Sequence, residues 1–341
     1  MERLMATSRE ENRSPATRKV VRLGIAVAVG MLVYSGLWFG AAGALEKKLA
    51  AILGGENPAA IEATCPDMKV GGYPFRIGVT CTTIAVDDHF HGLSATFGAF
   101  RSAAQVYAPG HVLWELEGPG QIRSSLGFSL ALQWTKLRSS LSAGLSGLDR
   151  SSIEVKDVQS LLTKQVDGAT IEARAPHAEA HVRRSGGDLD LAVLARDAVL
   201  SLHGRPPLLP PLSASVDMTL IGKAKYLDLE GDRGEGLYGS EGEIRRFVAD
   251  MGEGRVLTLS GPVSIGTDGM LSGKLHVEIE GIKAWQETLR TVLPDERETI
   301  DNAASVLGAL FSGKDKGDAD LTVTNGVVSL GIFPIAVLPP L

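Results

Sequence analysis

The sequence predicts a mainly β protein with a few helices (α+β), in which large twisted antiparallel sheets of half-buried strands follow an N-terminal transmembrane helix. Three observations support this fold class. Apolar and polar residues alternate over many short segments, an uncharged run of helical length lies near the N-terminus, and residues 284–311 carry apolar side chains at helical spacing. Alternation with one wet face is typical of antiparallel sheets, whereas buried parallel strands are apolar throughout.

The first element is the uncharged run, residues 23–45, whose only ionisable side chain is Tyr34. A helix of this length measures about 34 Å, enough to cross a hydrocarbon core of about 30 Å. Residues 1–22 have a net charge of +3, which leaves −9 in the rest of the chain. By the positive-inside rule, we predict a cytoplasmic basic tail (1–22), a single-pass inner-membrane anchor (23–45) and an exported periplasmic domain (46–341).

A cleaved signal peptide is the alternative interpretation of this run. Ala42, Gly43 and Ala44 have the small-residue pattern of a cleavage site. The run is nevertheless longer than the apolar core of a usual signal peptide, and a long tail precedes it, so we favour an uncleaved anchor. Both interpretations place the body of the protein outside the cytoplasm.

The chain has only two cysteines, Cys65 and Cys81. In an oxidising compartment, a pair at this separation most simply forms a disulfide, which would stabilise the fold by about 3 kcal/mol. Two buried free thiols are the alternative. Because the chain has no third cysteine, metal sites built on several cysteines and CxxC redox centres are excluded.

The first predicted strand lies within 73–81, where every second residue from Tyr73 to Cys81 is apolar. The next apolar residues, Ile84 and Val86, are out of phase with that set, which predicts a β-bulge near Thr82. The same alternation recurs in four later segments, at 112–116, 128–134, 216–220 and 275–279. Each of these strands is predicted to have one buried face and one wet face.

A hairpin is predicted around Asn325-Gly326, which is the sequence signal of a type I′ turn. A two-residue loop there pairs Val323 with Val328. The paired apolar residues then share one face, as a half-buried hairpin requires.

A second hairpin is predicted around Asp268-Gly269. A two-residue loop would pair apolar with polar residues, whereas a three-residue loop from Thr267 to Gly269 pairs Ile265 with Leu271. We therefore prefer the three-residue loop, with the glycine in the left-handed bulge position.

The helical spacing at 284–311 is interrupted by Pro294, which predicts a helical hairpin or kinked helix inserted before the last β-hairpin. Residues 93–106 and 139–148 are also predicted to be helical. The proline-rich segment 203–213 is either a linker between two β-rich halves or a crossing at the edge of one continuous sheet. We favour the crossing, because both sides have the same strand pattern.

Composition and motifs exclude several functions. A body with a charge of −9 is a poor partner for nucleic acid. The chain has no Walker, Ser-x-x-Lys or G-x-S-x-G motif, so we expect neither an enzyme nor a cofactor site. Two sets of residues could each present three metal ligands on one strand face: Asp87, His89 and His91, and His177, Glu179 and His181. We interpret both as polar outer faces and expect no metal site, because neither has a visible fourth ligand.

Both ends of the chain resemble one known family. Near the anchor is the motif Gly72, Tyr73, Pro74, Phe75 and Arg76, and the chain ends in "NGVVSLGIFPIAVLPPL". These segments resemble the DUF2125 family, envelope proteins of alphaproteobacteria with no assigned activity. That family is similar in style to AsmA-like envelope proteins, whose long sheets are linked to lipid movement or outer-membrane upkeep.

The motif is interpreted first as a folding landmark, the start of the sheet. Pro74 restricts it to an edge or first-strand position, while Tyr73 and Phe75 are expected on the inner face. Arg76 points the other way, toward a structural ion pair, which we favour, or a lipid phosphate. We therefore hypothesise a membrane-anchored periplasmic protein that binds or conducts lipid in envelope upkeep. The alternative is an envelope scaffold that binds another protein and has no ligand groove.

Overall fold

The computed structural model describes residues 15–53, 62–144, 146–166, 168–207, 209–228 and 236–340. Residues 1–14 of the predicted basic tail lie outside the described residues, and its remainder forms the start of the first helix. The helices are α1 (Pro15–Leu53), α2 (Ile282–Val292) and α3 (Arg297–Leu310), with short 3-10 helices at Ala224–Leu227 and Pro294–Glu296.

The described strands are all antiparallel to their partners. They are β1 (Glu62–Thr64), β2 (Lys69–Gly71), β3 (Arg76–Cys81), β4 (Ile84–Asp88), β5 (Leu93–Phe97), β6 (Phe100–Gln105), β7 (Ala108–Leu116), β8 (Gly120–Ser124), β9 (Phe128–Gln133), β10 (Lys136–Ala143), β11 (Leu148–Lys164), β12 (Thr170–Ser185), β13 (Asp188–Leu202), β14 (Leu212–Leu220), β15 (Ser240–Asp250), β16 (Val256–Ile265), β17 (Leu271–Glu280), β18 (Lys316–Thr324), β19 (Val327–Leu330) and β20 (Phe333–Val337).

The first strands form a bent meander. β3 and β4 are two parts of one interrupted strand, as are β5 with β6, β7 with β8, and β9 with β10. On one side of the bend, β3 pairs with β6, β6 with β7, and β7 with β10; on the other, β4 pairs with β5, β5 with β8, and β8 with β9. Both branches meet on β11, which pairs with β10 along its first half and with β9 along its second.

The sheet then continues in chain order from β11 to β20. β13 pairs directly with β14, so the sheet crosses the proline-rich segment without interruption. No pairing between described strands joins β20 to β1 or β2, so the sheet is open. The predicted mainly antiparallel α+β fold is confirmed.

Both predicted hairpin registers are confirmed. Val323 pairs with Val328 across Asn325-Gly326, and Ile265 pairs with Leu271. Gly269 has a φ of 81°, the left-handed conformation that the three-residue loop requires.

The bulge predicted near Thr82 is not formed: Cys81 pairs with Phe100 and Ile84 with Phe97, so two residues separate the pairs on each strand and neither strand has an extra residue. The strand is instead interrupted there. β3 ends at Cys81 and β4 begins at Ile84, and both side chains face the same cavity despite their opposite parity in sequence. The helical insertion is confirmed as α2 and α3, which flank Pro294.

Two helix predictions are wrong. Residues 93–106 form β5 and β6, and residues 139–148 form most of β10 and reach the start of β11. Both segments lie in the sheet with a paired strand on each side. Ladder hydrogen bonds and the burial of alternate residues therefore outweigh the helix propensity of their alanines and leucines.

The Cys65–Cys81 disulfide is formed, with the two Cα atoms 5.8 Å apart. It ties the segment between β1 and β2 to the end of β3, next to the helix. The N-terminal edge of the sheet is therefore held covalently where α1 meets it.

Candidate functional site

α1 and the first strands line an open apolar cavity of about 660 Å³, within the range of about 300–1,000 Å³ that is usual for ligand pockets. Its described lining residues include no titratable side chain, because both cysteines in the wall are disulfide-bonded. The wall includes Leu45 and Leu49 from α1 and, from the sheet, Ile77, Val79, Val112 and Trp114. We call this space the anchor cavity.

The register of four strands explains why this wall is apolar. Ile77 pairs with Ala104, Ala104 with Val112, and Val112 with Leu141. Residues directly opposite each other in an antiparallel pair project from the same face. One apolar row therefore crosses β3, β6, β7 and β10 and forms the floor of the anchor cavity.

Apart from Ser139, the same face remains apolar along one row that crosses the rest of the sheet. A single row of paired residues can be followed from β7 to β18. In order it consists of Trp114, Ser139, Ile153, Ala180, Val193, Val216, Phe247, Leu259, Val277 and Ala319. At about 4.8 Å per strand, the row is about 43 Å long. We call this side of the sheet the apolar face.

Among the residues that the structure describes, helices cover the apolar face at its two ends only. At the N-terminal end α1 lines the anchor cavity, and at the other end the buried Phe311, which follows α3, lies against Gly317 of β18. Between them, Val193 is 39% exposed, and no large side chain among the described residues is fully buried. The centre of the sheet thus presents an open apolar surface, which is unusual for a soluble monomer.

The opposite side of the sheet is polar and internally paired. Asp190 is nearly buried there, and its carboxylate accepts hydrogen bonds from Arg183 Nη2 at 2.6 Å, Arg245 Nη1 at 3.0 Å and Thr219 Oγ1 at 2.8 Å. The hydrogen bond from Arg183 is the main cause that lowers the pKa of Asp190 from 3.8 to about 2. On the polar side of the sheet, the charged groups around Asp190 are thus paired with each other. On the apolar face, the row from Trp114 to Ala319 contains no charged side chain.

Replacing Asp190 with asparagine is expected to destabilise the full chain in detergent micelles by about 2 kcal/mol at pH 7. The carboxylate pKa is lower in the folded state, so its contribution is complete above pH 4 and is lost as the pH falls toward 2. Urea unfolding of both proteins at pH 7, 4 and 2 measures the difference, which should nearly vanish at pH 2. Glu278→Gln, at an exposed position on the same side, should cost less than about 0.5 kcal/mol. A pH-independent loss at Asp190 would contradict this account.

His177, Glu179 and His181 lie on the polar side of β12, whereas His89 and His91 lie in the turn after β4 and not on a strand face as predicted. His177 and His181 both contact the carboxylate of Glu179, and His181 Nδ1 lies 2.9 Å from Ser152 Oγ. His91 Nδ1 lies 2.7 Å from Asp88 Oδ2. Within the described ranges, no three His, Cys, Asp or Glu side chains are arranged to hold a metal ion.

The motif Gly72–Arg76 lies beside α1. The Tyr73 ring stacks on Phe39 with centroids 5.4 Å apart and meets the edge of Trp38 at 5.5 Å, and its hydroxyl lies 2.8 Å from Ser35 Oγ. β3 begins only at Arg76, so the alternation of the strand does not extend back through the motif. Tyr73 therefore packs on α1 instead of on the sheet.

The other predictions for the motif are also revised. Phe75 is 70% exposed, so its expected place on the inner face is wrong. Arg76 is exposed, and its side chain forms no ion pair with any residue that the structure describes. The structural ion pair that we favoured for Arg76 is therefore not found among those residues.

Sequence reasoning missed the main features of the site. The anchor cavity forms because Leu45 and Leu49, near the end of α1, meet strands whose lining residues lie up to 96 residues later. Tyr34, Trp38 and Phe39 form the docking surface of the motif on α1, a role that the sequence analysis did not assign to them. The apolar side chains every three to four residues beyond the predicted anchor do indicate that the helix continues, but they do not show which strands it packs on.

The fold and the site define a class of protein: an open antiparallel sheet with one apolar face, joined to an N-terminal helix that is long and apolar enough to cross a membrane over Arg18–Ala51. The chain belongs to the DUF2125 family, described as an uncharacterized protein conserved in bacteria, whose sequence model matches residues 38–339. No curated protein and no solved structure matches the chain significantly. The match begins at Trp38, so it includes Trp38 and Phe39 of the helix surface that Tyr73 contacts, but not Tyr34 or Ser35.

Proposed function

We propose that this protein is anchored in the inner membrane by α1 and binds phospholipid acyl chains on the apolar face of a periplasmic body. The observation that carries the proposal is the position of the anchor cavity. Its wall is shared between the sheet and α1, beginning at Leu45, where the apolar run of the helix ends. An apolar cavity at that position lies next to the hydrocarbon chains of the bilayer.

The packing of α1 supports a retained anchor over a cleaved signal peptide. Trp38 and Ala42 are each 6% exposed, because they pack against the body. Cleavage near Ala44 would remove both side chains and leave Tyr73 without its aromatic partners. Arg18, Lys19 and Arg22 precede the apolar run, whereas only Lys47 and Lys48 follow it closely, which supports a cytoplasmic N-terminus.

The chemistry of the cavity supports binding rather than catalysis. Moving an acyl chain from the bilayer into an apolar cavity exchanges one apolar environment for another, so the transfer is nearly neutral in free energy. Such a surface can accept and release lipid without a large barrier in either direction. We therefore propose a non-enzymatic role in which lipid is bound or conducted along the apolar face during envelope upkeep.

The proposal is tested by native mass spectrometry of the full chain, gently extracted with its lipids. We expect a co-purifying phospholipid in the wild type and at least a tenfold loss of it in Val112→Asp, because the new carboxylate would project into the anchor cavity. The matched control is Leu113→Asp. Leu113 is the next residue of β7, faces the other side and is 64% exposed, so lipid retention should not change.

Cavity filling provides a second variant without a charge. Ala104→Trp should reduce lipid retention while the protein remains folded by circular dichroism, because Ala104 forms part of the cavity floor. If the wild type carries no lipid, or if both aspartate variants retain it equally, the proposal is wrong. A protein partner that occupies the apolar face in cross-linked membranes would then favour the envelope scaffold.

A further inference from the structure

Two hydrogen bonds fix the position of the motif along the axis of α1. The Trp38 indole Nε1 donates to the carbonyl oxygen of Arg76 at 3.0 Å, and the Tyr34 hydroxyl donates to the carbonyl oxygen of Pro74. Together with the ring contacts of Tyr73, they place the motif beside residues 34–39 of the helix.

The length of α1 places this level inside the membrane. Arg22 and Glu46 bound the uncharged part of the helix and lie about 36 Å apart along it, whereas the hydrocarbon core is about 30 Å thick. The uncharged part of the helix is thus about 6 Å longer than the hydrocarbon core is thick. Even if all of these roughly 6 Å protrude on the side of the body, Phe39 lies about 4 Å and Tyr34 about 12 Å inside the hydrocarbon boundary on that side. The motif that contacts both residues must then enter the body-side leaflet.

Four of the five carbonyl oxygens of the motif have partners within the protein, as polar backbone groups in hydrocarbon require. The carbonyl oxygens of Pro74 and Arg76 accept from α1, as described above. That of Gly72 accepts from the Arg76 amide at 3.0 Å, and that of Phe75 accepts from the Val106 amide at 3.1 Å. Pro74 itself has no amide hydrogen to satisfy.

The exposed side chains at this level suit a membrane and not water. Phe75 is 70% exposed, and Tyr107, next to the Val106 that pairs with it, is 77% exposed. Arg76 directly follows Phe75, and its guanidinium has no ion-pair partner among the described residues. A long basic side chain near the boundary can extend to the headgroups, where phosphate is its best-matched partner.

We propose that the Tyr73–Phe75 loop is embedded in the body-side leaflet and that Arg76 binds the phosphate group of a phospholipid whose acyl chain enters the anchor cavity. Arg76 is the first residue of β3 and Ile77, in the cavity wall, is the second, so the two sites share a stretch of backbone although the two side chains leave the strand on opposite faces. The guanidinium would therefore reach the lipid phosphate around the end of β3. The embedded loop rests only on α1 crossing the membrane, whereas the phosphate site rests on the proposed lipid binding as well.

The depth of the loop is tested with nitroxide labels on the full chain in vesicles of phosphatidylcholine and phosphatidylglycerol. The native cysteines form a disulfide, so a single label can be placed through Phe75→Cys or the control Phe90→Cys. Phe90 is a similarly exposed aromatic residue in the turn after β4, at the far end of the bent strand. We expect oxygen to relax the label at position 75 and a water-soluble nickel complex to relax the label at 90. Equal access of the nickel complex to both labels would overturn the embedded loop.

The phosphate site is tested by charge removal. Arg76→Gln is expected to reduce retention of phosphatidylglycerol about tenfold in native mass spectra and to leave retention of diacylglycerol, which lacks phosphate, unchanged. Arg101→Gln is the control, because Arg101 is an exposed arginine of the neighbouring β6 that already pairs with Glu117 at 2.9 Å. Addition of inorganic phosphate should not release the lipid.

The outcomes separate this inference from the proposed function. Loss of both lipids in Arg76→Gln, or loss of neither, would overturn the phosphate site while lipid binding itself remains measurable through Val112→Asp. Release by inorganic phosphate would show a general anion site and would also overturn it. If the label at position 75 is embedded in the membrane but the chain retains no lipid, the embedded loop is supported. The proposed lipid-binding function is then wrong, and so is the phosphate site, which depends on it.

Discussion

Replacement of Gly78 by alanine is expected to destabilise the protein by at least about 3 kcal/mol, a large part of the roughly 5–15 kcal/mol by which a folded domain is usually stable. A Cβ atom on Gly78 would lie 1.9 Å from the backbone carbonyl oxygen of Ser102. That oxygen belongs to the paired β6 and cannot rotate away, as the end of a flexible side chain could. The added methyl group should therefore separate β3 from β6 at the floor of the anchor cavity.

The local contacts explain why the two strands approach so closely. Ser102 Oγ accepts a hydrogen bond from the Val79 amide at 3.1 Å and lies 3.4 Å from its carbonyl oxygen. The hydroxyl thus occupies the position of a regular ladder bond and draws the strands together. Only glycine at position 78 leaves room for this arrangement.

Gly71→Ala is the matched control, because a Cβ atom there would have no neighbour within 4 Å and the backbone φ is not in the left-handed region. Its unfolding free energy in urea, measured on the full chain in detergent, should stay within about 0.5 kcal/mol of the wild type. Similar unfolding curves for Gly78→Ala and the wild type would show that β3 and β6 do not cross as described.

Local patterns in the sequence predicted most of the secondary structure that depends on near neighbours. The Asn325-Gly326 and Gly269 turns fixed the registers of their hairpins, because turn chemistry and apolar pairing agreed. Pro294 predicted the break between α2 and α3. The helix predictions at 93–106 and 139–148 failed where small residues gave no clear period and pairing with distant strands decided the conformation.

The site could be predicted less well, because it depends on contacts between distant segments. The apolar period of β3 was visible, but the continuity of the apolar face from Trp114 to Ala319 requires nine successive strand registers. The position of Tyr73 was misjudged for a similar reason. Its aromatic partners on α1 lie 34 to 39 residues before it in the chain, and no local pattern connects them.

A lysine in the middle of the apolar face is expected to divide the proposed lipid path into two parts. Val193 on β13 lies four strands from β7 and four from β17, so the path between those strands is about 38 Å long. One leaflet of hydrocarbon is only about 15 Å thick, so a lipid held at the anchor cavity cannot reach β17. Any lipid found at β17 must therefore have passed Val193.

Photo-reactive residues at Val112 and at Val277 report lipid before and after that point. With both sites labelled by phospholipid in the wild type, Val193→Lys should reduce adducts at Val277 at least tenfold, because an acyl chain cannot solvate the ammonium group. Adducts at Val112 should stay within twofold, since lipid still enters from the membrane.

Leu194→Lys is the control that puts the same charge on the opposite, polar side of β13, so it shows whether the position of the lysine or only its charge matters. Leu194 is the next residue on β13, but it faces the polar side and pairs with Glu179 and Ser215, so a lysine there gains a carboxylate partner. It should leave both adducts unchanged. If Val193→Lys and Leu194→Lys have equal effects, the apolar face does not guide lipid. If the wild type is labelled at Val112 and never at Val277, lipid stays in the anchor cavity, and the open centre of the sheet must be explained by another partner.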